Sequence, residues 1–208
     1  MPPLETLPLF LLSSLALLLI PGPAVLYIVT RSIAQGRTAG LFSVAGVQCG
    51  ALVHVAAATL GLSAVLLSSA LLFNLVKFAG AAYLIYLGVQ QWRSKGEGPS
   101  LKVQAQPLSR IFVQGFVVNA LNPKTALFFF AFLPQFVDPK LGHVPLQFFV
   151  LGLLFVGVAC ISDSLYALLS STLGPWLRRS RTFWKRQKYV TGAVYIGLGV
   201  TAATTGHK

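Results

Sequence analysis

The sequence predicts an all-α integral membrane protein with six transmembrane helices, arranged as two inverted-topology repeats of three helices. Three observations support this fold class. Of the 208 residues, 55% are hydrophobic and only 10% are charged, whereas soluble domains carry roughly 25% charged residues. The apolar residues fall into runs of about the 20 residues that a helix needs to cross a bilayer. Basic residues concentrate in alternate loops. This composition excludes an ordinary water-soluble enzyme and a disordered chain.

Several of the runs are apolar on every face, which is typical of helices surrounded by lipid or protein. The alternation of period two that marks a strand is missing. The first run follows an acid, Glu5, rather than a basic segment, so we expect a retained span and not a signal peptide. The six predicted spans are Leu7–Val29, Gly40–Leu62, Leu66–Gln91, Ile111–Val137, Leu146–Ser171 and Tyr189–Thr205.

The loops predict the orientation. Two, four and six basic residues follow spans one, three and five, and the positive-inside rule places such loops in the cytoplasm. Both chain ends are therefore expected outside. The net charge of +12 is then explained by the orientation of the protein in the membrane and by contact with anionic lipid headgroups, and not by nucleic-acid binding. We expect no metal or other cofactor, since Cys49 and Cys160 lie inside apolar runs without ligand spacing.

The chain contains an internal repeat. A cytoplasmic linker, 95–109, divides it into three-helix units at 1–94 and 110–208. Gly80-Ala81-Ala82-Tyr83-Leu84 in span three resembles Gly192-Ala193-Val194-Tyr195-Ile196 in span six, and other matches follow in the same order. Because each unit has an odd number of spans, the two units lie in opposite orientations. Many secondary transporters have this symmetry, with the substrate site near the midplane.

Proline motifs interrupt the first span of each unit. Pro21-Gly22-Pro23 lies within span one and Asn122-Pro123-Lys124 within span four, and proline removes a backbone hydrogen bond. Such a break exposes carbonyls that can hold an ammonium group and helix N-termini that can hold a carboxylate. An amino acid zwitterion carries both groups. The alternative is a simple kink, which transmembrane helices tolerate.

Few ionisable groups lie inside the spans, where a buried charge usually marks an ion or substrate path. Asp163 is expected to bind substrate ammonium or the coupling proton, or to be a structural partner of Lys124. Lys124 would hold a substrate carboxylate or extend towards the cytoplasm. His54 is either a proton relay or a packing residue.

The ordered set of motifs resembles the lysine exporter/homoserine-threonine resistance (LysE/RhtB) superfamily of bacterial amino acid exporters. The resemblance covers essentially the whole chain. The residues that carry it are Pro21-Gly22-Pro23, Gly46-x3-Gly50-x3-His54 with Gly61, Lys77-x2-Gly80-Ala81-Ala82-Tyr83-Leu84 to Gly88, Asn122-Pro123-Lys124 with the stretch to Pro134-Gln135-Phe136, and Asp163-x2-Tyr166-Ala167.

This resemblance implies an inner-membrane exporter of amino acids or close derivatives, driven by the proton motive force. It also implies that Pro21, Gly22, Pro23, Asn122, Pro123, Lys124 and Asp163 form the transport core. A passive channel or structural membrane subunit is the alternative. An intramembrane enzyme is less favoured, since the spans hold one aspartate and no serine-protease motif. Glycine-rich helix faces are compatible with packing within one chain or in a homo-oligomer.

Overall fold

In a computed structural model, the structure describes residues 2–64, 70–93 and 104–179 and single positions between 189 and 204. These residues are helical or in short connections, without strands in the described ranges. Most of the predicted sixth span and most of the linker lie outside the described residues. The helices are α1 (Leu7–Leu18), α2 (Pro23–Ala57), α3 (Ala70–Arg93), α4 (Leu108–Ala120), α5 (Pro123–Leu127) and α6 (Val144–Arg179). Residues Ala58–Leu62 and Phe128–Phe132 are π-helical.

Within the described ranges, two helical segments are long and apolar enough, by length and composition, to cross a membrane: Pro23–Leu62, which is interrupted at Gly36, and Val144–Thr172. A third candidate is the pair Leu108–Ala120 and Pro123–Phe136, bent by 42° at its break. Large apolar side chains such as Leu60, Leu121 and Ile161 are more than two-thirds exposed. Such a surface suits lipid rather than water, so the protein is a membrane protein with an all-helical fold.

Helix α2 is a hairpin rather than one rod. Gly36 has φ 82° and ψ −172°, a backbone conformation that only glycine adopts readily. A Cβ built on Gly40 would lie 3.1 Å from the Cβ of Ser32, whereas residues eight apart in a straight helix are about 12 Å apart. The two arms, 23–35 and 37–57, therefore run antiparallel, and Ile28 and Val44 share one buried cluster. The arms fall in the predicted first and second spans.

The second arm of α2 packs backbone to backbone against α4. A Cβ on Gly50 would lie 2.5 Å from the carbonyl oxygen of Phe116, and one on Gly115 would lie 2.9 Å from that of Ser43. Gly46 faces the backbone of Phe112 in the same way. Small residues allow this close approach of membrane helices, so α2 and α4 form a tightly joined pair.

Phenylalanines fill the main core beside this pair. The rings of Phe128 and Phe155 stack 4.5 Å apart, and Phe10 meets Phe136 edge to face at 5.2 Å. Both Phe128 and Phe129 are almost fully buried. This cluster joins α1, the π-helical segment after α5, and α6.

A polar cluster lies near the linker. Arg31, only 6% exposed, donates from Nη2 to the side-chain oxygens of Gln106 (2.8 Å) and Gln114 (2.9 Å). Its Nη1 donates to Gln35 Oε1 and to the carbonyl of Gln104, both at 3.3 Å. The arginine thereby ties the first arm of α2 to α4 and to the end of the linker.

Candidate functional site

The first break separates α1 from α2. Helix α1 ends at Leu18, and Gly22 is the extended N-cap of α2, with no side-chain capping bond. Pro23 has no N–H, and the first backbone bond is from Leu26 N to Gly22 O. The N–H groups of residues 24 and 25 therefore have no acceptor within the helix. This N-terminus has two backbone donors available and carries the positive end of the helix dipole.

Side chains of the second half satisfy the carbonyls freed by this break. Tyr166 Oη donates to Leu19 O at 2.8 Å, and Lys124 Nζ donates to Ile20 O. An unpaired carbonyl in a membrane interior costs several kcal/mol. Each of these two carbonyls therefore already accepts one side-chain donor, and binding of a substrate ammonium by the unwound backbone stays a prediction.

The second break separates α4 from α5, and here the helix caps itself. Asn122 is the N-cap, and its Oδ1 accepts from Lys124 N at 3.1 Å. Pro123 occupies the first helical position, where its missing N–H has no cost. The two breaks thus differ, since the N-terminus of α5 is capped by a side chain and that of α2 is not.

Asn119 organises the second break. Its Oδ1 accepts from Asn122 Nδ2 (3.1 Å) and Thr125 Oγ1 (2.9 Å), and its Nδ2 donates to Val47 O at 2.8 Å. His54 Nε2 lies 2.8 Å from the backbone oxygen of Asn119. Because a carbonyl only accepts, this ring nitrogen carries the hydrogen. The break is therefore fixed to the second arm of α2.

A small cavity of about 30 Å³ lies between the two breaks. This space holds about two water molecules, so the site has to widen before it takes up a larger solute. Residues of α1, both arms of α2, α4, α5 and α6 line it: Leu17, Leu18, Gly22, Ala24, Val25, Val47, Gln48, Ala51, Asn119, Asn122, Lys124, Thr125, Phe155, Ala159 and Asp163.

Two opposite charges line this cavity. Asp163 is 3% exposed and Lys124 is 6% exposed, and the two interact electrostatically. Asp163 Oδ2 accepts from Gln48 Nε2 at 2.8 Å, while its Oδ1 has no hydrogen-bond partner. Buried charges are costly unless they are paired, so the unpaired carboxylate oxygen marks the cavity as a place for a donor.

The structure brings four of the predicted site residues to the cavity wall: Gly22, Asn122, Lys124 and Asp163. Lys124 Nζ bonds across to the backbone of the first break, at Ile20 O. The prolines at 21, 23 and 123 adjoin the breaks but do not line the cavity, so they act on backbone shape. His54 also lies outside the lining; it stacks on Phe129.

Sequence reasoning missed Gln48 and Asn119. Gln48 lies between Gly46 and Gly50 in a stretch read only as packing, and Asn119 lies three residues before the second break. A neutral amide inside an apolar span was the available signal, because polar residues there are usually functional or bonded.

Comparison with known proteins agrees with this membrane architecture. The family model for the LysE type translocator matches residues 15–206. The homoserine/homoserine lactone efflux protein of Salmonella typhimurium is 33% identical over 199 residues, covering 95% of this chain and 96% of that protein. An uncharacterized membrane protein of Vibrio cholerae is 32% identical over 197 residues, covering 94% and 95%. No solved structure matches the chain. The chain belongs to the LysE type translocator family.

Proposed function

We propose that the protein is a secondary active transporter that exports amino acids or close derivatives across the bacterial inner membrane by proton antiport. The observation that carries this proposal is the cavity between two broken helices, lined by Asp163 and Lys124. The efflux activity in the name of the Salmonella relative supports the same class of substrate.

The polar groups around the cavity are suited to a zwitterion. Asp163 Oδ1, which has no partner, accepts the substrate ammonium. The uncapped N-terminus of α2 binds the carboxylate through the N–H groups of Ala24 and Val25, and Lys124 adds positive charge on that side. The opposite charges of Asp163 and Lys124 offset each other, so a solute without net charge leaves no excess charge in the membrane.

Proton coupling follows from competition at one carboxylate. When Asp163 is ionised it binds an ammonium, and when it is protonated it has no charge to attract one. Substrate and proton therefore alternate on Asp163, as antiport requires. His54, whose Nε2–H is hydrogen-bonded to Asn119 O, is the second group that we propose for the proton path.

The transport cycle we propose uses six spans in two inverted repeats, 1–94 and 110–208, with both chain ends outside the cell. Each break precedes a helix that begins with proline, and paired interrupted helices are the pattern expected of such a carrier. A reporter enzyme fused after Lys208, active only outside the cytoplasm, tests the position of the C-terminus. If only a second reporter, one that is active in the cytoplasm, were active when fused at the same position, the result would contradict the six-span arrangement.

Efflux from cells loaded with labelled amino acids tests the function. We expect Asp163→Asn to abolish efflux while the protein still inserts, and Glu5→Gln, a change at an exposed acid, to leave efflux intact. An uncoupler should stop efflux by the unchanged protein. Near-normal proton-coupled efflux by Asp163→Asn would exclude that residue as the carrier of charge. Flux that ignores the proton gradient would favour a passive channel.

A further inference from the structure

Two buried acceptor atoms of one bonded pair have no partner. Gln48 Nε2 donates to Asp163 Oδ2 at 2.8 Å, which leaves Gln48 Oε1 and Asp163 Oδ1 without hydrogen bonds. Gln48 is 9% exposed and Asp163 is 3% exposed. Both residues line the cavity between the breaks.

The orientation of the amide follows from the carboxylate. An ionised carboxylate only accepts hydrogen bonds, so Gln48 must present its amino group to Asp163 and keep its oxygen free. A buried acceptor left unpaired costs about 1–3 kcal/mol. The pair therefore favours a ligand that supplies an N–H or O–H donor to each of the two free oxygens, and the charge of Asp163 favours a cation.

We propose that Gln48 is a specificity-determining residue which, together with Asp163, binds a primary ammonium group of the substrate. This inference rests on the proposed function and adds to it the kind of amine that the site accepts. One N–H of the ammonium donates to Asp163 Oδ1 and a second donates to Gln48 Oε1. N-acylated derivatives, which lack the charge, and N,N-dialkyl derivatives, which retain one N–H, bind poorly.

Homoserine and N,N-dimethylhomoserine test the proposal, because both nitrogens are cationic and differ in their number of N–H donors. The measurement is the ligand concentration that gives half-maximal thermal stabilisation of the purified protein. We expect dimethylation to raise this concentration about tenfold or more in the unchanged protein, the effect of losing one hydrogen bond to a charged group.

The variant Gln48→Leu is measured with the same two ligands, so that the effect of dimethylation on binding can be compared between the two proteins. We expect it to weaken homoserine binding about tenfold and to reduce the dimethylation penalty to less than twofold, since the second acceptor is already gone. If Gln48 only positioned Asp163, the penalty would stay at its original size in the variant, and the proposal would be wrong.

Two further variants control for folding. Ser162→Ala removes a buried hydroxyl that also has no partner but does not line the cavity, and it should leave both affinities unchanged. Gln48→Asn keeps the amide group and takes the place of Gln48→Leu if the leucine variant does not insert into the membrane. For Gln48→Asn we expect a dimethylation penalty between that of the unchanged protein and that of Gln48→Leu. Failure of the unchanged protein to bind any amino acid would overturn the proposed function itself, whereas equal binding of both probes would overturn only the role of Gln48.

Discussion

Replacement of Gly50 by alanine should separate the joined pair of helices α2 and α4. The added Cβ would lie 2.5 Å from Phe116 O and 2.9 Å from Ala120 N. Both neighbours are backbone atoms, so rotation of a side chain does not relieve the contact. An ordinary contact begins at 3.4 Å, and α4 must therefore move away by about 0.9 Å.

Such a movement has a cost beyond the contact itself. It lengthens the bond from Asn119 Nδ2 to Val47 O from 2.8 Å to a distance at which a hydrogen bond is lost. Overpacking costs about 1–3 kcal/mol and the lost bond about 1 kcal/mol, against a gain of up to about 1 kcal/mol from helix propensity. We expect a loss of about 2 kcal/mol in the free energy of unfolding.

Thermal unfolding of the purified protein measures this loss, and for a chain of this length it corresponds to a Tm lower by about 4–8 °C. Gly157→Ala is the matched control, because nothing lies within 4 Å of a Cβ at Gly157; its Tm should stay the same or rise. Equal Tm values for the two variants would refute the backbone contact between α2 and α4. Efflux should also fall in Gly50→Ala, since Asn119 lines the cavity.

Two further predictions concern the hairpin and the polar cluster. In Gly36→Ala the added Cβ meets no atom within 4 Å, but the alanine has to adopt φ 82°. The free energy of unfolding should therefore fall by about 1–3 kcal/mol. A Tm equal to that of the unchanged protein would contradict the chain reversal at this residue. Arg31→Met removes the arginine donor from the side-chain oxygens of Gln106 and Gln114, of which the second keeps a longer bond from Tyr27 Oη at 3.4 Å. We expect the free energy of unfolding, measured by thermal unfolding, to fall by about 1–3 kcal/mol. Arg31→Lys should restore only part of it, because an ammonium lacks the planar fork, and full recovery would contradict the paired geometry.

The helix breaks could be predicted from the sequence because proline acts locally. Its effect on the preceding turn does not depend on the rest of the fold, and both predicted interruptions are present. Asp163 and Lys124 could be found for a related reason, since a charge in an apolar span is costly wherever the helix packs.

The partners across the cavity could not be predicted in the same way. Gln48 meets Asp163 over 115 positions of sequence, and Lys124 reaches Ile20 over 104 positions. These contacts depend on how α2, α5 and α6 pack, which single spans do not encode. The same holds for Gly36, which the sequence placed in a loop without indicating a reversal at one residue. The division into repeats at 95–109 and the sixth span stay predictions.

The glycine seam between the second arm of α2 and α4 has a mechanical consequence. Helices in backbone contact, further fastened by Asn119 and His54, do not slide past one another without losing many contacts at once. In any conformational change that opens the cavity, the second arm of α2 and α4 therefore move together as a rigid body. The strain of that motion falls on 19–22 and 120–122, where the ladder of helical bonds is already interrupted and bending costs least.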